Sequence, residues 1–168
     1  TDNTAQNVED LIPVEGIFRT TDGGDTWTLV TSYSYTTQAT QAHFHRSAAG
    51  GNHITFAGTT LYAAPTTGGL LKSTNGTTWT RLAKSGGGYV LDTVELYNIT
   101  THPTNNTTLF VSAPDGLYKV VDNGGTATVT KIGTGLPAGS VYQLQIDKNT
   151  PNTMYIAAGK NGVYRSTD

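Results

Sequence analysis

The chain has 168 residues, of which 36% are hydrophobic and only 13% charged, against roughly 25% charged in an average chain; glycine contributes 20 residues and the formal net charge is −2. This composition excludes a coiled coil or long helical bundle, a collagen-like repeat and disorder driven by charge excess. With a pI near 6.0 and no basic stripe, it also offers no electrostatic footprint for nucleic acid or for an anionic membrane surface.

The length predicts one domain over residues 1–168. Cysteine is absent, so neither a disulfide framework nor a thiolate metal site can form. The first residues, Thr1-Asp2-Asn3-Thr4, lack the basic and apolar regions of a signal peptide, so a signal is expected to be absent or already removed. No run reaches the roughly 18 apolar residues of a membrane span, and no membrane insertion is expected. The Thr-rich, Lys-poor composition favours an extracellular location. Asn75-Gly76-Thr77, Asn98-Ile99-Thr100 and Asn105-Asn106-Thr107-Thr108 match the glycosylation acceptor pattern, which a chain this rich in Asn and Thr also produces by chance.

In chain order, the first predicted element is the strand opened by Gly16-Ile17-Phe18-Arg19, followed by the turn Thr20-Thr21-Asp22-Gly23-Gly24-Asp25-Thr26-Trp27. A polar strand follows in which Tyr33 and Tyr35 share a face. The next cluster is His43-Phe44-His45-Arg46, with both histidines on one face. Thr60-Leu61-Tyr62-Ala63-Ala64 reads as an apolar strand. Gly69-Leu70-Leu71-Lys72 then leads into a second turn, Ser73-Thr74-Asn75-Gly76-Thr77-Thr78-Trp79. Lys84-Ser85-Gly86-Gly87-Gly88 is a turn, since a phosphate loop needs its Lys after the glycines. The β-branched and aromatic content of residues 90–97 predicts a strand there.

The pattern then recurs. A Pro/Asn turn at 102–106 precedes the strand Thr108-Leu109-Phe110-Val111-Ser112, and Gly116-Leu117-Tyr118-Lys119 leads to Asp122-Asn123-Gly124-Gly125-Thr126-Ala127. A second Pro/Asn turn at 147–152 precedes Met154-Tyr155-Ile156-Ala157, and Gly162-Val163-Tyr164-Arg165 leads to Ser166-Thr167-Asp168. The leading glycines Gly16, Gly69, Gly116 and Gly162 are separated by 53, 47 and 46 residues. One repeat is a four-stranded antiparallel meander, and its length matches the roughly 40–50 residues of a propeller blade. The predicted fold is all-β, with about three and a half blades present in the 168 residues.

Residues 20–27 fit Ser/Thr-x-Asp-x-Gly-x-Thr-Trp, and the segments 73–79, 122–127 and 166–168 are partial copies in phase with them. In this the chain resembles the Asp-box, or BNR-repeat, β-propellers, which include sialidases, xyloglucanase-type glycoside hydrolases, sortilin-type receptors and a photosystem assembly factor. The resemblance implies that the boxes shape the fold and lie away from the active site. The box residues are Thr20, Asp22, Gly24, Thr26 and Trp27; Ser73, Asn75 and Trp79; and Asp122, Gly124 and Thr126. Their chemistry is that of turns. Asp and Asn accept backbone N–H groups, Gly24 takes positive φ, Thr26 closes the turn, and Trp27 is expected to pack between sheets.

Catalytic chemistry is thinly represented. A sialidase-type arginine cluster is not expected, because Arg19, Arg81 and Arg165 belong to the repeats and only Arg46 stands apart. The best carboxyl pair outside the turns is Asp92 and Glu95, which on a strand would point to opposite faces and would need a loop or bulge to converge. His43 and His45, with His53 or His102, could start a metal site, but no supporting motif is present and neither metal nor cofactor is expected. Tyr33, Tyr35, His43, His45 and Arg46 are the candidate ligand contacts, for a glycan or for a protein surface. The expected function is thus a non-catalytic extracellular binding or assembly module acting through inter-blade loops. The alternatives are a glycoside hydrolase, or part of one, and a protein that self-assembles through open blade edges. A homo-oligomer or a larger chain would complete the propeller.

Overall fold

The computed structural model describes residues 15–33, 53–65 and 68–168. Among them are thirteen strands and one 3-10 turn, Gly159–Asn161. All strand pairings within the four sheets are antiparallel and join sequence neighbours. The first sheet pairs β1 (Glu15–Arg19) with β2 (Thr28–Tyr33). The second is the meander β3 (Ile54–Ala57), β4 (Thr60–Ala63), β5 (Leu71–Ser73) and β6 (Thr80–Arg81). The third runs β7 (Asn98–His102), β8 (Asn105–Ala113), β9 (Gly116–Asp122) and β10 (Ala127–Ile132). The fourth holds β11 (Gln143–Ile146), β12 (Met154–Ala157) and β13 (Val163–Ser166). These are the blades of a β-propeller, of which the second and third are four-stranded.

The leading strands β3, β7 and β11 lie side by side, with β7 between the other two. The Thr100 hydroxyl donates to the Leu144 carbonyl at 3.1 Å across that joint. Alternation along each strand then assigns the two faces of every sheet. Ile17, Leu70 and Leu117 follow the leading glycines and are all buried against the sheet that comes next in the chain. Their neighbours Leu71, Tyr118 and Tyr164 pack toward the sheet before. The core is therefore a series of apolar layers between sheets. Leu70, Leu96, Leu109 and Val111 lie in the layer between the second and third sheets, and Phe110, Leu117, Leu144 and Ile156 in the layer between the third and fourth.

Residues 90–97 are not a strand, contrary to the periodicity. They form a turn closed by Val94 N–H donating to the Leu91 carbonyl at 3.2 Å, and β7 starts only at Asn98. Burial overrides β-propensity here: Val90, Leu91 and Leu96 are drawn into the second layer, and Leu91 is held at φ 55°. Gly69 makes this turn fit. Its φ is +86°, and a Cβ there would stand 2.6 Å from the Val90 carbonyl oxygen, which accepts the Leu70 N–H at 3.0 Å. Gly69→Ala is expected to cost about 1–3 kcal/mol, read as a lowered urea midpoint at unchanged m-value.

Candidate functional site

The turn at 20–27 is built by two side chains. The Asp22 carboxylate accepts the Thr26 N–H at 3.0 Å, the Thr26 hydroxyl at 2.5 Å and the Thr20 hydroxyl at 2.7 Å, while Thr20 Oγ1 accepts the Gly24 N–H at 3.0 Å. The hydrogen bonds from Thr26 and Thr20 hold the Asp22 carboxyl well below the usual carboxylate range. Ser73 and Asn75 build the second turn alike: Asn75 Oδ1 accepts the Thr77 and Thr78 N–H groups, and Ser73 Oγ accepts that of Gly76.

The two tryptophans differ. Trp79, like Val30, packs against the cluster of Ile17, Ala63 and Leu71 between the first and second sheets. Trp27, expected between sheets, is instead 60% exposed, and its indole N–H folds back to the Gly24 carbonyl at 2.9 Å. The physical reason is that the indole at this position faces the preceding sheet, and no described sheet precedes the first.

The third turn departs further. Thr126 makes its side-chain contact with Ser85 at 3.2 Å, not with Asp122. The Asp122 carboxylate accepts the Gly124 N–H at 2.8 Å but points into the joint with the second sheet. There it meets the Lys72 ammonium at 2.6 Å and the Tyr62 hydroxyl at 2.5 Å. Burial pushes the Asp122 carboxyl up, but the Lys72 ammonium, the Tyr62 hydroxyl and the Gly124 N–H outweigh it and hold the group below its ordinary value. Ala127 stands where Trp79 stands one repeat earlier. Its small side chain lets backbones approach, so that Ala127 N–H donates to the Ala83 carbonyl and Ser85 N–H to the Ala127 carbonyl, both at 2.8 Å.

The candidate acids Asp92 and Glu95 lie partly buried in the 90–94 turn and just after it, next to the left-handed Leu91. The strand pleat that would have separated them is therefore absent. Burial raises the Tyr97 phenol and the Glu95 carboxylate adds to the rise, and the Tyr97 ring stacks on that of Tyr142 with centroids 5.4 Å apart. Tyr33 closes β2, but its side chain lies outside the described residues, as do Tyr35, His43, His45 and Arg46. The other two histidines are described: His53 Nδ1 lies 2.7 Å from the Ala64 carbonyl and His102 Nδ1 accepts the Thr104 N–H at 3.3 Å. Among the described residues no three His, Asp or Glu side chains converge as metal ligands would.

A recess that sequence reasoning missed is a cleft of about 680 Å³ between the third and fourth sheets. Its floor is apolar, with Phe110, Leu117, Ile132, Leu144, Ile156 and Tyr164, and Lys119, Lys131, Arg165 and Asp168 also line it. Lys131 donates to Asp115 at 2.8 Å, as does the Tyr118 hydroxyl at 2.6 Å; burial first and then this carboxylate push the Tyr118 phenol up to about 12. Three of the floor residues have repeat equivalents around Trp79. Leu117, Ile156 and Tyr164 occupy the positions of Ile17, Ala63 and Leu71. The cleft thus has the walls of a tryptophan slot. Only the repeat alignment carries a signal of it, because the floor residues read singly as core.

No family model matches the chain, and no curated protein matches it. Solved structures do match. One is named as the extracellular domain of a hybrid two-component system from B. thetaiotaomicron, at TM-score 0.60 and 13% identity, covering 91% of this chain and 21% of that one. Another is an ancestral GH74 enzyme, at TM-score 0.58 and 18% identity over 92% of this chain and 20% of that one. A third is the GH74 enzyme of Niastella koreensis, at TM-score 0.58 and 24% identity over 88% of this chain and 24% of that one. At these identities the likeness shows the fold, and the chain spans between a fifth and a quarter of each neighbour's length.

The inter-sheet ion pair sets two expectations. Asp122→Ala leaves the Lys72 ammonium without its carboxylate in a largely buried joint and should cost about 3–5 kcal/mol in urea unfolding. The folded-state values of Asp122 and Asp22 are both depressed, so their contribution is complete above the unfolded-chain value of about 3.9 and is lost as pH falls through the lower folded values. Unfolding midpoints measured from pH 6 downward should therefore fall most steeply below about pH 4, and less so in Asp122→Ala.

Proposed function

We propose that this chain is a propeller segment acting as an extracellular, non-catalytic binding or assembly module. The observation that supports the reading is the cleft between the third and fourth sheets, where Phe110, Leu117, Leu144 and Ile156 stand beside Lys119 and Lys131. An apolar floor with charged groups around it suits an extended protein segment bearing an aromatic side chain. The turns at 20–27 and 73–79 support assignment to the Asp-box propellers. The likeness to a structure named as an extracellular domain supports the location.

A second reading is a glycoside hydrolase, or part of one. It is favoured by the likeness to two GH74 enzymes and by Asp92 and Glu95 belonging to a turn rather than a pleated strand. The probe for the first reading is a peptide of residues 73–82, which carries Trp79 on a strand-forming segment. It should bind the full chain saturably, and Ile132→Trp, which fills the cleft, should reduce affinity at least about tenfold, equivalent to ~1.4 kcal/mol. Incubation with a panel of polysaccharides and sialylated glycans should yield no new reducing ends. Cleavage that disappears in Asp92→Asn or Glu95→Gln would overturn the binding reading in favour of the hydrolase.

A further inference from the structure

The first joint holds a cation that the repeat leaves without its acid. Each leading strand carries a basic residue at its fourth position, and in the second repeat that residue, Lys72, meets Asp122 of the following turn at 2.6 Å. In the first repeat the basic residue is Arg19, and the residue of the following turn equivalent to Asp122 is Asn75. An amide carries no charge, and the Asn75 side-chain oxygen already accepts the Thr77 and Thr78 N–H groups at 2.9 and 2.8 Å. Among the described residues none forms an ion pair or a hydrogen bond with the Arg19 guanidinium.

Arg19 faces a formed recess. A cavity of about 180 Å³ lies between the turns at 20–27 and 73–79, lined by Arg19, Thr21, Thr26, Thr28, Val30 and Thr77. Both turns are described from end to end. Arg19 lies against the second of them, where a Cβ on Gly76 would stand 3.9 Å from its Nε. Register sets Thr28 opposite Arg19, on the same face of the first sheet. The Thr26 hydroxyl donates to Asp22 at 2.5 Å, whereas the hydroxyls of Thr21, Thr28 and Thr77 have no partner among the described residues. The walls thus offer a guanidinium, three free hydroxyls and one apolar side chain.

We infer that this recess binds a small organic carboxylate. The planar guanidinium presents its N–H groups as a fork that matches the two oxygens of a carboxylate, and such charge-assisted pairs are stronger than neutral hydrogen bonds. The hydroxyls of Thr21, Thr28 and Thr77 supply donors for the remaining lone pairs, and Val30 offers an apolar wall to a short alkyl tail. One negative charge suits the site better than two, because the Asp22 carboxylate is bonded to Thr26 of the same wall and repels a second. In the second joint Asp122 gives Lys72 from within the chain what Arg19 takes from solution in the first. The recess lies at a different joint from the cleft, so the carboxylate site and the peptide ligand proposed there can fail separately.

The test is an NMR titration of the isotope-labelled full chain with sodium butyrate and, separately, with sodium sulfate, both at constant ionic strength, with circular dichroism to establish that each variant is folded. Butyrate should shift the backbone amide signals of Gly76 and Thr77 and the Arg19 Nε–H signal saturably, and sulfate should bind more weakly. Arg19→Gln, at an exposed position, should weaken butyrate binding at least about tenfold. Asn75→Asp, which adds a negative charge to the turn against which Arg19 lies, should weaken it as well. Shifts that grow without saturating, a titration unchanged in Arg19→Gln, or tighter binding of sulfate than of butyrate would each overturn the inference.

Discussion

Side-chain alternation along the strands, repeated in phase from sheet to sheet, is the constraint on which the rest of this structure depends. A strand presents successive residues to opposite faces. When four sheets share one pattern, every sheet therefore presents one set of apolar residues forward and another backward. Ile17 and Leu71 meet across the first joint, and Tyr118 and Tyr164 face backward into the second and third. The core is consequently layered between sheets. A shift of register by one residue in any meander would turn both of its faces at once.

The joints are chemically unequal, although their positions correspond. The first is sealed by the indole of Trp79. The second replaces the indole with Ala127 and gains backbone hydrogen bonds to Ala83 and Ser85, together with the buried contact of Asp122 with Lys72 and Tyr62. The third has Leu117, Ile156 and Tyr164 where the first has Ile17, Ala63 and Leu71, and the cleft lies beside them. Trp27 shows the same rule from the other side. Lacking a described sheet in front of it, the indole turns its N–H onto its own turn.

Much of the fold was legible in the sequence because the repeat carries it. The glycine-led strands and the Asp- or Asn-Gly turns recur from copy to copy, two copies add a Pro/Asn turn, and local turn chemistry places them without reference to the rest of the molecule. Residues 90–97 were misread because their β-branched and aromatic residues serve burial in a turn, which periodicity alone cannot separate from a strand. Trp27 was misplaced because a motif gives an aromatic residue its direction and says nothing of whether a neighbouring sheet stands there. Asp122 looked like its counterpart Asp22, yet with Val120 in place of Thr20 its carboxylate finds Lys72 instead. The cleft was invisible because Leu117, Ile156 and Tyr164 read singly as ordinary core residues.

The central claim is that Trp27 and Trp79, equivalent residues of the repeat, differ in exposure because a described sheet stands against Trp79 and none against Trp27. Iodide quenching of two single-tryptophan variants in dilute solution, Trp27→Phe and Trp79→Phe, tests it most directly. The account predicts that Trp79, left alone in the first variant, is shielded and blue-shifted, while Trp27, left alone in the second, is quenched close to the rate of a free indole. Equal quenching of the two would contradict it.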